Sequence, residues 1–182
     1  MDPLITLPLG VVVERREIEN VWQSHSWRPV AVIPGAPKVE HGRLLARGFR
    51  WERYHAATLT LELHHKETAA YRTNLSNDQP RIFVGLRDVV ERSGSDLEVA
   101  PFLVTASPFE AQDYLDSSEE IIEGVPMPES LIALTQAFVD AHHIDEQFEK
   151  RKQKRLDPNE VAFGRKPAGA VHMMNGRGGF HD

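Results

Sequence analysis

The chain has 182 residues, is 41% hydrophobic, carries a formal net charge of −6 and contains no cysteine. That length favours one domain with a real core, and the lack of thiols excludes disulfides, cysteine nucleophiles and Cys-ligated zinc or iron–sulfur centres. No stretch of about 18 apolar residues is present, so no membrane-spanning helix is expected.

The opening "MDPLITLPLG" has no basic segment and is broken by prolines, so no signal peptide is expected. "LGVVVERRE" (9–17) begins with a β-branched run and ends in charges, which predicts a strand. "WRPVAVIP" (27–34) sets Val30 and Val32 on one face and Ala31 and Ile33 on the other, so a strand covered on both sides is expected. Pro29 donates nothing to a ladder and belongs at that strand's start or at a sheet edge. The following "IPGAP" has one glycine and no helix after it, so Pro34–Gly35 reads as the centre of a type II turn and not as a phosphate-binding loop.

Strands are expected at 47–56, with Phe49, Trp51 and Arg53 on one face, and at 57–65, where Leu59, Leu61 and Leu63 alternate with polar residues. Residues 67–75 fit a strand or a short helix, and Tyr71 and Thr73 favour the strand. Further strands are expected at 80–88 and 98–106. Turn-rich segments separate these runs, and no helical pattern lies between the early strands, so the pattern is antiparallel and not a doubly wound sheet. "SPFEAQDYLD" (107–116) then opens a helix, with Ser107 as cap, Pro108 at the first position and Glu110 three after the cap. A short strand or connector follows at "SEEIIEGVP". The longest helix is expected to start at Pro128, bury Leu131, Leu134, Thr135 and Phe138, and run into "EKRKQKR". The fold class is therefore α+β: an antiparallel meander or small open β-barrel of about six to eight strands, followed by two helices. Residues 1–149 form the domain, and 150–182, rich in Gly, Pro and basic residues, form a flexible tail.

Charge is unevenly placed. Residues 93–149 hold thirteen acids and no Lys or Arg, whereas residues 150–182 hold eight Lys or Arg and three acids. One reading is solvated helix faces and a solvated helix end; the other is docking surfaces, with Glu119, Glu120 and Glu123 on the acidic side and Lys150, Arg151, Lys152, Lys154 and Arg155 on the basic side. The basic run has no interleaved aromatics, which argues against nucleic acid as a partner.

Motifs for catalysis are sparse. No Gly-x-Ser-x-Gly or His-Glu-x-x-His is present. His142 with Glu146, or His143 with Asp140, has two-ligand spacing on a helix, but no third ligand is identifiable and no metal or cofactor is assigned. Trp22, Trp27 and Trp51 are expected to form one aromatic cluster against the sheet. Arg15 and Arg16 suit cross-strand ion pairs or a groove lining; with Trp27, Arg50, Trp51 and Arg53 they make the candidate pocket.

The phrases "PLGVVVERREIENVWQSHSWRPVAVIPGA" (8–36), "PRIFVGLRD" (80–88), "PFLVTASPFEAQDYLDSSEEIIEGVPMPESLIALTQAFVDAHH" (101–143) and "FEKRKQKRLDPNEVAFG" (148–164) resemble an uncharacterised family of small bacterial proteins associated with formate-dehydrogenase gene clusters. The likeness runs from about residue 8 to 164 and carries no established catalytic motif, so it assigns no site residue. It implies a non-enzymatic cytoplasmic accessory or maturation factor for a molybdenum or tungsten formate dehydrogenase, docking on an enzyme subunit or on another maturation factor. Two alternatives stay open: a binder of, or enzyme acting on, a small molecule or the pterin cofactor, and a structural subunit of the dehydrogenase complex. A guanylyltransferase of molybdopterin synthesis is disfavoured, because no strand leads into a glycine-rich nucleotide loop.

Overall fold

The structure, a computed structural model, describes residues 5–89, 97–117 and 120–145. Four strands, β1 (Ile5–Glu17), β2 (His25–Pro34), β3 (Arg43–Gly48) and β4 (Trp51–Leu63), build a first antiparallel sheet in the order β2-β1-β4-β3. A 3₁₀ turn at His65–Glu67 leads into α1 (Thr68–Leu75). Strands β5 (Arg81–Asp88), β6 (Val99–Thr105) and β7 (Ile121–Pro126) build a second antiparallel sheet in the order β6-β5-β7. Helix α2 (Pro108–Ser117) lies between β6 and β7 in the chain, and α3 (Glu129–His142) follows β7. Strand β4 runs near β6 and β2 near β7, but among the described residues the sheets stay separate and no barrel closes.

This is the expected α+β architecture, with the helices interleaved among the strands and not gathered after them. Period-two burial builds the core: Leu9, Val11 and Val13 of β1, Leu61 and Leu63 of β4, and Ile82, Val84 and Leu86 of β5 are all at most 1% exposed. Helix α3 closes it with a stripe of Leu131, Thr135, Phe138 and Val139. The remaining face of β1 is covered too. A Cβ on Gly10 would come within 2.7 Å of Ala36 Cβ and 2.9 Å of His55 Nε2, so only glycine fits beneath the loop that follows β2. That loop begins with the expected Pro34–Gly35 turn, where Gly35 takes a φ of 72°.

Several expectations are corrected. Residues 68–75 are helical because the helix puts Thr68, Tyr71 and Asn74 on one buried side. From there the Tyr71 hydroxyl accepts the His64 N–H at 3.1 Å, and Asn74 clamps the second sheet: its Nδ2 donates to the carbonyls of Arg81 and Ala106, and its Oδ1 accepts the Arg81 N–H. These contacts override the strand propensity of Tyr71 and Thr73. The strands expected at 47–56 and 57–65 are divided differently: the chain reverses at Phe49–Arg50, and β4 runs unbroken from Trp51 to Leu63. Arg50, not a glycine, supplies the positive φ of 63° at that reversal, so the turn left no usual sequence mark. Strand β2 is an edge strand and not one covered on both sides, and Ile33 is 39% exposed; Pro29 thus sits in an edge strand, beside an irregularity in the β1–β2 register. Helix α3 ends at His142, where His143 turns extended. The anticipated continuation through 146–155, and the flexible tail over 150–182, lie outside the described residues.

Candidate functional site

The charged end of β1, "ERRE", alternates across the first sheet and so serves two faces. On the core side Arg15 lies opposite both Trp27 and Glu52. Its guanidinium pairs with Glu52 and sits 5.8 Å from the ring centroids of both Trp27 and Tyr54. Glu52 also accepts the Tyr54 hydroxyl. That hydroxyl and the Arg15 charge hold the Glu52 carboxyl below the usual carboxylate range. Trp27 Nε1 donates to Glu98 at 3.0 Å, which ties this face to the start of β6.

On the opposite face Glu14 is 1% exposed and is covered by arginines. Arg53 Nε and Arg16 Nη2 donate to it at 3.0 Å each, and Arg28 Nη2 lies at 3.5 Å. Burial pushes the Glu14 carboxyl up, but the hydrogen bonds from Arg53 and Arg16 and the charges of Arg16 and Arg28 outweigh it, so the group stays ionised below its ordinary value. All three guanidiniums remain about half exposed, so one buried carboxylate presents three cations to solvent. Arg53 also lies 5.0 Å from the Trp51 ring.

Two loops complete this end. The β1–β2 loop carries Val21 and Trp22, 93% and 90% exposed, and the β3–β4 turn carries Phe49, 88% exposed. The Glu17 N–H donates to the Arg50 carbonyl at 2.9 Å, and the Arg50 side chain pairs with Glu17 and Glu19, so the turn and the loop are held side by side. Six arginines (15, 16, 28, 47, 50 and 53) face four glutamates (14, 17, 19 and 52) here. Residues 97–145, by contrast, hold ten carboxylates and no Lys or Arg.

A family model described as "Protein of unknown function (DUF3305)" matches residues 8–152. The chain belongs to this family. No curated protein and no solved structure matches it.

The six residues expected in a pocket, Arg15, Arg16, Trp27, Arg50, Trp51 and Arg53, do converge on this end of the DUF3305 fold, but on both faces of the sheet and not around one cavity. The hollow among Arg15, Arg47, Arg50 and Trp51 measures only about 100 Å³. The three tryptophans do not cluster: Arg15 pairs with Trp27 while its neighbour Arg16 pairs with Trp51, which places the two rings on opposite faces, and Trp22 stands in the loop. Glu14, Arg28 and Arg47 were missed, because only the strand register reveals that they meet. Phe49 was expected on a strand and stands instead at the turn. Of the expected acidic docking residues, Glu123 is exposed on β7, while Glu120 is engaged by Arg87 at 3.3 Å. Glu119, Lys150, Arg151, Lys152, Lys154 and Arg155 lie outside the described residues.

The histidines take structural partners. His142 Nδ1 lies 3.0 Å from His65 Nε2, and His143 Nδ1 lies 3.1 Å from Thr68 Oγ1. His143 does not pair with Asp140, because the backbone leaves the helix at His143 and brings it to Asp145 instead. Arg72 donates to Asp145 at 2.6 Å and, with His143, holds that carboxyl below its ordinary value. Glu146, the other expected partner of His142, lies outside the described residues. Among the described residues no group of three or more His, Asp or Glu is placed to hold a metal ion.

Proposed function

We propose that this chain is a docking protein that engages an acidic surface of a partner through the arginine–aromatic end of its first sheet. The observation that carries the reading is Trp22 and Phe49, about nine-tenths exposed, held beside six arginines, three of them organised on the buried Glu14 carboxylate. A self-sufficient monomer gains nothing by exposing two large aromatics on adjacent loops. Tryptophan, phenylalanine and arginine are also the residue types enriched in the buried centres of protein interfaces. The resemblance to proteins of formate-dehydrogenase gene clusters supplies the partner class: a subunit of a molybdenum or tungsten formate dehydrogenase, or another of its maturation factors. Transient engagement during assembly and stoichiometric residence in the finished enzyme are the two forms this role takes.

Binding of the pterin cofactor is the weaker reading. The basic hollow, at about 100 Å³, is too small for a pterin dinucleotide, and the roomier groove between β4 and β6 is rimmed by carboxylates that repel phosphates. The test is affinity purification of the full chain and of its Trp22→Ser, Phe49→Ser double variant, with identification of what is retained. Capture of a dehydrogenase subunit or maturation protein by the parent and not by the variant supports the proposal. Retention of no such protein, or equal retention by both chains, overturns it.

A further inference from the structure

A second surface, remote from the arginine end, has the chemistry of a peptide-binding groove. Strand β3 pairs with β4 only as far as His55, so from Ala56 to Leu63 one edge of β4 has no strand neighbour among the described residues. Strand β6 is likewise an edge of the second sheet, and no backbone hydrogen bond joins the two among the described residues. Register identifies the groups left over. The Pro8 carbonyl accepts from Gly35, on the β2 side, so Leu7 and Leu9 turn their backbone groups to β4; their partners Leu61 and Leu59 face back, and Thr60 and Glu62 face away. The Pro80 carbonyl accepts from Met127, on the β7 side, so Phe83 and Gly85 serve β6 through Thr105 and Leu103, which leaves Val104 facing outward, while Phe102 is the extra residue of a bulge opposite Gly85.

Along this seam runs a groove of about 680 Å³, walled by α1 and α2. Its apolar lining includes Leu59, Phe102, Val104 and the half-exposed Phe109. Four carboxylates, those of Glu62, Glu67, Glu110 and Asp113, rim it against one lysine, Lys66. Glu62 is met by His64 and Glu67 by the Ser107 hydroxyl, while Glu110 and Asp113 have no ion-pair partner among the described residues.

We infer that this groove binds an extended segment of a partner protein in which apolar side chains alternate with Lys or Arg. Free strand edges recognise a peptide backbone by strand addition, the apolar lining takes every second side chain, and the acidic rim selects cations from among the rest. This site does not depend on the arginine end and stands or falls separately from the docking role assigned there.

The probe is a labelled synthetic peptide of alternating valine and lysine, about ten residues long, which spans the seam at about 3.3 Å per residue. It is compared by fluorescence anisotropy with the valine–glutamate peptide and with a form N-methylated at every second residue. The lysine peptide is expected to bind at least about tenfold more tightly than either control. It should also slow hydrogen exchange at the Thr60, Glu62 and Val104 amides, which attraction of charge alone would not do. Glu110→Lys with Asp113→Lys should weaken binding about tenfold or more, and Glu62→Lys with Asp113→Lys repeats the test away from the first turn of α2. Glu123→Lys, outside the groove, should leave binding within about twofold. Equal binding of the N-methylated peptide, unchanged exchange at those three amides, or insensitivity to both charge reversals overturns the inference. So does failure of the peptide to bind while the same variants change the sedimentation of the protein, which would assign the groove to a second copy of the chain.

Discussion

Arg53 Nε and Glu14 Oε2 meet at 3.0 Å across β4 and β1, yet Glu14 is 1% exposed and Arg53 about half exposed. The carboxylate is structural and the guanidinium is available. This asymmetry lets an acidic chain hold several cations close together without their mutual repulsion opening the sheet.

Removing the anion should therefore cost far more than removing any one cation. Glu14→Ala is expected to lower stability by about 2–4 kcal/mol, toward the lower part of the range for breaking a buried ion pair because the arginines keep their water. Arg28→Ala, which removes a half-exposed partner at 3.5 Å, should cost less than about 1 kcal/mol. Urea unfolding of both variants checks the order; equal losses would show that Glu14 does not organise the cluster.

Trp22→Ser with Phe49→Ser should separate binding from folding. Both side chains are about nine-tenths exposed, so stability should change by no more than about 0.5 kcal/mol. Capture of the partner should fall about tenfold or more, as for central aromatic anchors of an interface. A thermal melt alongside the pull-down reads both quantities, and a large fall in melting temperature would mean that the aromatics belong to the fold.

Asn74→Ala tests the clamp between α1 and the second sheet. The side chain is 1% exposed and makes three hydrogen bonds, at 2.7, 2.8 and 3.0 Å, to backbone groups of Arg81 and Ala106. Leaving those groups without partners should cost about 3 kcal/mol. Amide exchange at Arg81 should accelerate beyond what global destabilisation explains.

Thr135→Val should act in the opposite direction. The Thr135 hydroxyl is buried in α3 and has no hydrogen-bond partner among the described residues. Replacing it with a methyl group of similar shape removes an unsatisfied polar group, so stability should rise by about 1 kcal/mol. Calorimetry decides the sign.

Stability should fall at both extremes of pH, through different groups. In the folded chain the Glu14 carboxyl sits below its ordinary value of 4.5, so the unfolded chain binds that proton more readily. The contribution is complete above about pH 4.5 and disappears as pH falls through the folded value. Tyr71 behaves inversely: burial, with the charges of Glu67, Glu110 and Glu62, pushes its hydroxyl up to about 12 against the partial offset of the His64 N–H bond. Its contribution is complete below about pH 10 and is lost between about 10 and 12. Unfolding free energy measured against pH should lose part of its acid limb in Glu14→Gln and part of its alkaline limb in Tyr71→Phe. Unchanged limbs in both variants would refute the assignment.

Local patterns identified much of the fold. The period-two runs at 80–88 and 98–106 became β5 and β6, the cap and proline at Ser107–Pro108 opened α2, and the helical stripe from Leu131 to Phe138 packed as expected. Ser107 Oγ does receive the Glu110 N–H at 3.2 Å, but its own N–H goes to Thr105 Oγ1 instead of a glutamate. These features were readable because each depends on residues a few positions apart in the chain.

The sequence by itself determined the charge layout, the antiparallel α+β class and the Pro-Gly turn, because composition, periodicity and turn stereochemistry are local properties. Tertiary structure alone decided that residues 68–75 are a helix, that Glu14 gathers arginines from β1, β2 and β4, and that β4 and β6 leave a groove between them. The reason is strand register: which side chains and which backbone groups meet across a sheet depends on pairing between segments tens of residues apart, and irregularities at Val30 of β2 and Ala56 of β4 each shift that pairing by one residue.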